Sequence, residues 1–505
     1  MTKQRCTIAA SLTMFAMAMC APFAARGAGY WTYSYNGIEV TSSDGAERTK
    51  DIAHDLSRLD AAITVVLGIP ASDWRPPTQV YSMPNAVFSR VRGKKDDSLS
   101  LYVTNPFGNT IEINASNTGD NKLYGAFYGY TGSVLISAYS FRYPPWFVKG
   151  LSETFAGSTI TKSSVTIGAP SGRARTLFTG KLIPTRELLA VHWGDPQLKS
   201  PEYSAMYDAE SWLLVHLIVL EGKYHSNFFD YFQRCDRGED QARAFAASFD
   251  ISYEDLDKML ASVLQTGKVD TKRVAIPEEK DPGTATRLTD AEAAGRLAAL
   301  AARHSAQPDE ALQMANEAIA LSATNPDALF ALAHVQFRRA DYSQALQAAE
   351  RLCAADSPTE KQLAECGQLF SSLAAAVREG KATVGVEAQT LAERARRYYD
   401  KAITMEPEDL ASCEGMASLL ATMRNREYSQ AFLPQAQKTL SAHPHASSLA
   451  RAVAGMCADM GDTVMAINYA SMWQIAALSD AERDAAAAYV SRLKASLERS
   501  NMRQP

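Results

Sequence analysis

The second half of the chain repeats itself, and this repetition constrains the fold more than any other feature. A small residue recurs at Ala311 (PDEALQMANEAI), Ala345 (DYSQALQAAERL), Ala395 (ERARRYYDKAI), Ala431 (EYSQAFLPQAQ) and Ala466 (GDTVMAINYASM), at spacings of 34, 50, 36 and 35 residues. The segments between are Ala-rich and helical in period, so each unit holds two helices. Leu329, Leu332, Ala333 and Phe337 share one face of a first helix. Tyr342, Ala345, Ala349 and Leu352 share the facing side of the second. One such pair cannot bury its apolar face alone, whereas a stack can. Pro326, Pro407 and Pro444 are placed to open the next unit, where a missing N–H costs nothing. The wide spacing carries about 16 extra residues, expected near Glu379–Val386 with Gly380 and Gly385. Residues 480–499 read as a capping helix.

Period and unit together resemble the tetratricopeptide repeat over about 289–500. The resemblance implies an all-α superhelix of about five helix pairs with a protein or peptide partner along its concave face. An ordinary helical bundle is the alternative. Residues 268–288 (KVDTKRVAIPEEKDPGTATRL), charged and carrying Pro277, Pro282 and Gly283, read as a linker. Residues 289–505 are therefore expected to fold without what precedes them.

The first 28 residues read as an export signal. Lys3 and Arg5 precede a mostly apolar, uncharged run from Thr7 to Ala25, and small residues lead to Ala28. An uncleaved anchor is the alternative. No later stretch is long enough to span a bilayer; the apolar run Trp212–Leu220 contains His216 and reads as a buried helix. The expected location is periplasmic or secreted. Hydrophobic residues make up 46% of the chain, so disorder from low hydrophobicity is excluded, and a net charge of −5 argues against a nucleic-acid partner. Of the cysteines beyond the signal (Cys235, Cys353, Cys366, Cys413 and Cys457), Cys353 and Cys366 can pair in an oxidising compartment. The preferred reading is five core-filling thiols.

Residues 29–267 mix strand and helix patterns. Tyr30–Val40 alternates like one strand. Gly45–Gly68 is helical, with Ile52, Leu56, Leu59 and Ile63 on one side. Val80–Met83, Leu99–Val103 and Ile111–Ala115 read as strands. Tyr124–Ser140 and Trp146–Ala156 read as helices, the latter after Pro144-Pro145.

In this half, RYPPWFVKGLSETFA resembles the P-x-W-x-x-E-G-x-A-E segment of gluzincin-type zinc metallopeptidases that carry tetratricopeptide repeats. In that family an H-E-x-x-H helix supplies two zinc ligands and the general base, and the first glutamate of E-G-x-A-E is the third ligand. The matching register puts YGYTG at 128–132 where the family has HEYTH. TYSYNGIEVTSSDGAERTKDIAHDLSRLDAAI, NTIEINA and AMYDAESWLLVHLI resemble the flanking elements in order. The resemblance implies an α+β gluzincin-like domain over 29–267, but the chemistry is missing. Tyr128 and Gly132 replace the histidines, Gly129 the base and Lys149 the glutamate ligand, while Glu153 survives. One carboxylate cannot hold zinc, so neither metal nor cofactor is expected.

Trp146 and Glu153 are expected to line the emptied cleft. Lys149 and Glu153, four apart on one helix, can pair; the Lys149 ammonium is expected where the zinc would stand, with Glu153 or the Tyr128 hydroxyl near it, and a side chain extended into solvent is the alternative. Gly125, Gly129 and Gly132 share a helix face, left smooth either by drift or to admit a neighbouring element. His192, His216 and the His443/His445 pair read as structural, and no G-x-S-x-G, P-loop or G-x-G-x-x-G motif occurs. The combined expectation is an exported, non-catalytic protein- or peptide-binding chain. A hydrolase with a displaced or metal-independent site is the competing class.

Overall fold

A computed structural model describes residues 29–68, 75, 77–95, 100–105, 108–116, 123–137, 143–220, 227–278, 283–444, 446–477 and 479–501. The expected export segment lies outside these residues, as do Leu99, positions 138–140, Pro282 and His445.

The first half opens with β1 (Trp31–Tyr35) and β2 (Ile38–Ser42). The single strand expected over Tyr30–Val40 is therefore a hairpin. Asn36 and Gly37 both take positive φ, 48° and 75°, which suits a two-residue turn between right-twisted strands. Next come α1 (Ala46–Leu67), β3 (Thr78–Met83), α2 (Asn85–Arg92), β4 (Ser100–Asn105) and β5 (Gly108–Asn114). Then follow α3 (Tyr124–Ser137), α4 (Pro145–Ala156), β6 (Thr159–Ile160), β7 (Ser164–Ile167) and α5 (Thr185–Leu189). The half closes with α6 (Pro201–Val215), continued by a wider turn to Leu220, and α7 (Asn227–Asp236), α8 (Gln241–Ser248) and α9 (Tyr253–Thr266).

Two strands lie within the stretch expected as a linker. β8 (Lys272–Ala275) pairs with β7, and β9 (Thr286–Arg287) pairs with β1. The large sheet runs β4-β5-β3-β2-β1-β9, with β2, β3 and β5 parallel and the outer pairs antiparallel. Among the described residues β4 is thus an edge strand.

The repeat half holds five helix pairs and a last helix. They are α10 (Asp290–His304) with α11 (Pro308–Leu321), α12 (Pro326–Arg338) with α13 (Tyr342–Cys353), and α14 (Glu360–Arg378) with α15 (Ala388–Met405). Then come α16 (Leu410–Met423) with α17 (Arg426–Ala442), α18 (Ser447–Asp459) with α19 (Thr463–Ala476), and α20 (Asp480–Asn501). Each second helix touches its partner and the first helix of the next pair, and the first helices touch one another in a row. This is the helix-pair array that the repeats imply. The additional residues of the third unit lengthen α14 and α15 as well as their connection.

Some repeat details differ from expectation. Ala311, Ala345, Ala395 and Ala466 are buried, but Ala431 is exposed. Ser429, fourth in its helix like Ala311, Ala345 and Ala466, takes the tight place. Pro326 is the first residue of α12, whereas Pro407 and Pro444 lie ahead of their helix caps. Cys353 and Cys366 form a disulfide, contrary to the preferred reading. The short connection between α13 and α14 brings their Cα atoms within 6.0 Å, inside the bonding range.

The two halves share a core. One face of the large sheet presents Val40, Val80, Ile111 and Ile113 to α1 and its neighbours. On the other, Tyr81 and Met83 join Phe88 and Val91 of α2 in a cluster with Leu297, Leu300, Met314 and Val335 of the first helix pairs. Polar residues between them are matched across the junction. Arg296 on α10 reaches Glu39 Oε1 at 2.6 Å and Thr41 Oγ1 at 3.0 Å. His304 Nδ1 lies 2.6 Å from Glu112 Oε1, and Arg90 makes a two-pronged contact with Glu317 at 2.8 Å. α10, first in the row where a partner's concave groove was expected, therefore lies against the chain's own sheet. Further along, Glu360, Lys361 and Asp409 of the array line a groove of about 200 Å³ with Glu39, Gln79 and Thr110 of the sheet. At the far end Arg483 of α20 helps line a groove of about 110 Å³ with Tyr143, His192 and Trp193.

Candidate functional site

A cleft of about 790 Å³ lies between β4, α3 and α4. Proline at 145 opens α4, with Pro144 extended ahead of it, which sets the angle at which α4 leaves its loop. α4 is buried on nearly every side, so its polar residues must find partners inside. Lys149 and Ser152 line the cleft, and Glu153 lies beneath it with no exposed surface.

α3 carries the three glycines, two of them at a close approach. A Cβ on Gly125 would strike Ser100 Oγ, and one on Gly129 would lie 2.6 Å from Tyr102 Cβ. The smooth helix face is thus occupied by the edge strand β4, which favours close packing over drift. Gly132 is different: a Cβ there would meet only Ser152 Oγ at 3.3 Å and Val148 at 4.0 Å.

Four charged side chains form one network below and beside the cleft. Lys149 Nζ donates to Asp208 Oδ1 at 2.6 Å, and Arg173 Nη1 donates to Asp208 Oδ2 at 2.6 Å. The same Arg173 nitrogen lies 2.7 Å from Glu153 Oε1. Glu153 Oε2 accepts from the Tyr124 hydroxyl and from Ser171 Oγ, the latter at 3.2 Å. The Arg173 guanidinium stands 5.3 Å from the Tyr128 ring centre and 6.0 Å from that of Tyr124, within cation–π range. Burial raises the Glu153 pKa, opposed mainly by the Arg173 charge. Burial likewise raises the Tyr124 and Tyr128 hydroxyls, with the nearby carboxylates adding to the effect.

The structure brings Tyr128, Gly129, Gly132 and Lys149 together along this cleft. Lys149 does not make the pair with Glu153 that their spacing allows. It reaches across to α6 and Asp208, while Arg173 takes Glu153. Trp146 is not a cleft residue: its side chain is fully buried, and its indole N–H donates to the Tyr231 hydroxyl at 3.1 Å within an aromatic core. His216 is buried away from the cleft, and His192 lines the small groove at Arg483. Arg173, Asp208, Tyr124 and Ser171 escaped the sequence reading. Asp208 stood inside AMYDAESWLLVHLI, noticed for its order only; Arg173 lies in a short 3₁₀ turn capped by Ser171, where no periodicity marks it.

The residues at this site do not suit zinc. Lysine and arginine stand among the lining side chains, no imidazole or thiol does, and both nearby carboxylates are held by cations. Among the described residues no three His, Cys, Asp or Glu side chains converge as a metal group, and no helix is long and apolar enough to cross a membrane.

No family model matches this chain, and no curated protein does. Among solved structures it is similar to YrrB, a TPR protein with an unusual peptide-binding site, at 14% identity over 39% of this chain and 91% of that one, with a TM-score of 0.30. It is also similar to yeast Tom70, at 12% identity over 90% of this chain and 84% of that one, with a TM-score of 0.32. Overlays this loose carry no functional argument, and the helix pairing described above stands on the chain's own contacts.

Proposed function

We propose that this chain is a non-catalytic binder of extended polypeptide, with the cleft between β4, α3 and α4 as its recognition groove. The carrying observation is the charged network. Each of the four charged side chains is held by an oppositely charged neighbour, while the cleft beside them stays open and largely apolar. β4, at the sheet edge, borders that cleft, and an edge strand offers backbone groups to an added strand. A sheet followed by two helices that bring positions 128, 132 and 149 together supports a gluzincin-like layout in which ion pairs stand in place of a metal site. The helix array serves in this reading as a scaffold, its leading helices braced on the sheet; its remaining first helices are a second surface for a protein partner. The Cys353–Cys366 bond supports export to an oxidising compartment.

Hydrogen exchange on the full chain, with and without unfolded casein, tests the proposal. Slower exchange is expected in 100–105, 124–137 and 145–156. No protection there, or protection confined to α12–α18, would move the binding surface to the array.

A further inference from the structure

We infer that the groove recognises the C-terminal residue of a polypeptide, holding its free carboxylate at Lys149 and Arg173 with an apolar side chain beside it. This rests on the groove reading above and adds the ligand's chemistry.

The charges that face the cleft are cationic. Lys149 and Arg173 line it, and the Arg173 side chain is 43% exposed. Their carboxylate partners lie behind them: the side chains of Asp208 and Glu153 are 6% and 1% exposed and neither lines the cleft. An entering ligand therefore meets two cations whose counter-charges are covered, and opposite charge is what such a wall selects. Arg173 uses one terminal nitrogen, Nη1, for both of its carboxylate contacts. Nη2 and Nε make no hydrogen bond among the described residues, so donors remain for a planar, two-oxygen acceptor.

A third group points the same way. Ser152 is 1% exposed, lines the cleft, and its Oγ has no hydrogen-bond partner among the described residues. A buried hydroxyl left unmatched is costly, and a bound oxygen acceptor would satisfy it. The absent side chain of Gly132, whose Cβ would stand 3.3 Å from that hydroxyl, keeps the approach open.

The apolar surroundings decide which carboxylate fits. The Tyr128 ring begins the apolar wall 5.3 Å from the guanidinium, and Leu101, Tyr102, Ile136, Val148 and Trp193 continue it. A C-terminal residue carries its carboxylate and an apolar side chain on one Cα, so it meets both features at once. An aspartate or glutamate within a chain brings the carboxylate without the apolar group.

Calorimetry on the full chain tests this with acetyl-tetra-alanyl-leucine as the free acid and as the C-terminal amide. The acid is expected to bind about tenfold or more tightly, the ratio that follows from a charge-assisted hydrogen bond. Ser152→Ala, which removes only an unpartnered hydroxyl, should weaken the acid about tenfold, as loss of one hydrogen bond to a carboxylate predicts, and weaken the amide, whose carbonyl accepts only a neutral hydrogen bond, by less. Arg173→Gln should erase the acid's advantage; Arg173→Lys, which keeps the charge, should restore part of it. Equal binding of acid and amide would overturn the inference while leaving the groove standing if casein still protects 100–105 and 124–137. No binding of either peptide, with no protection by casein, would overturn both. Decanoate binding in place of the peptide acid would overturn the polypeptide source.

Discussion

Two charged clusters hold this molecule, and they are covered differently. At the junction of sheet and array, Glu112 is fully buried and His304 is 5% exposed, so both partners of the pair lie inside. At the cleft only the carboxylates are covered, and the cations lie on the open side. A pair with both members buried joins elements distant in sequence and is costly to break from one side. A cluster with its cations turned outward keeps donors for something that arrives later. The first arrangement is structural; the second is the one proposed above to receive a ligand.

The largest effect expected from this contrast is on the junction. Among the described residues His304→Ala would leave buried Glu112 with Arg92, at 3.9 Å, as its one remaining cation, and should cost about 3 kcal/mol in chemical denaturation. Peptide binding at the cleft should be unchanged. A small cost, or a loss of binding, would break the distinction between the clusters.

Next in size is a carboxylate with no cation beside it among the described residues. Glu210 lies on α6 two residues beyond Asp208, is 1% exposed, and accepts the Ile183 N–H at 2.7 Å. Burial is the main cause of its pKa rising from the ordinary 4.5 to about 8. The folded protein therefore keeps this proton after the unfolded chain has lost it. The stabilisation is complete below about pH 4.5 and is lost as pH rises through about 8. Glu210→Gln should flatten this part of the pH–stability curve, by on the order of 2 kcal/mol between pH 6 and 8. An unchanged slope would show that Glu210 has a partner and would weaken the contrast with Asp208.

The smallest effects separate two glycines of one helix. Gly129→Ala sets a Cβ against the backbone-anchored Cβ of Tyr102, whose hydroxyl is also tied to Asn109 at 2.8 Å. Overpacking should outweigh the gain in helix propensity and cost about 1–2 kcal/mol. Gly132→Ala meets only a hydroxyl free to rotate and a distant methyl, so it should be neutral to stabilising by up to about 1 kcal/mol. Equal effects from thermal melts of the two variants would mean that β4 does not press on α3.

How much of this was legible follows from range. The helix pairs were readable because their determinants are local: a small residue where helices meet and apolar positions on one face. The error at Ala431 shows the limit, since serine at 429 fills the tight place and a search for alanine passes over it. The β1–β2 hairpin was missed because Asn36-Gly37 sits inside an otherwise alternating run, although that dipeptide is a strong turn signal. The junction was not legible. The row Thr32, Thr41, Tyr81 and Glu112 reads as a wet sheet face, and only the tertiary placement of Arg296 and His304, more than 190 residues beyond Glu112 in the His304 case, makes it an interior. At the cleft, positions 128, 129, 132 and 149 were found through a family register. Arg173 and Asp208, which occupy the charges there, belong to segments with no spacing rule linking them to α4.

The central claim is that the cleft holds polypeptide without cutting it. The most direct measurement is mass spectrometry of unfolded casein after prolonged incubation with the full chain, with and without added zinc, beside a saturable binding curve from the same mixture. Intact casein in both samples together with saturable binding is expected. Casein fragments that appear with the protein and vanish with chelator would contradict it.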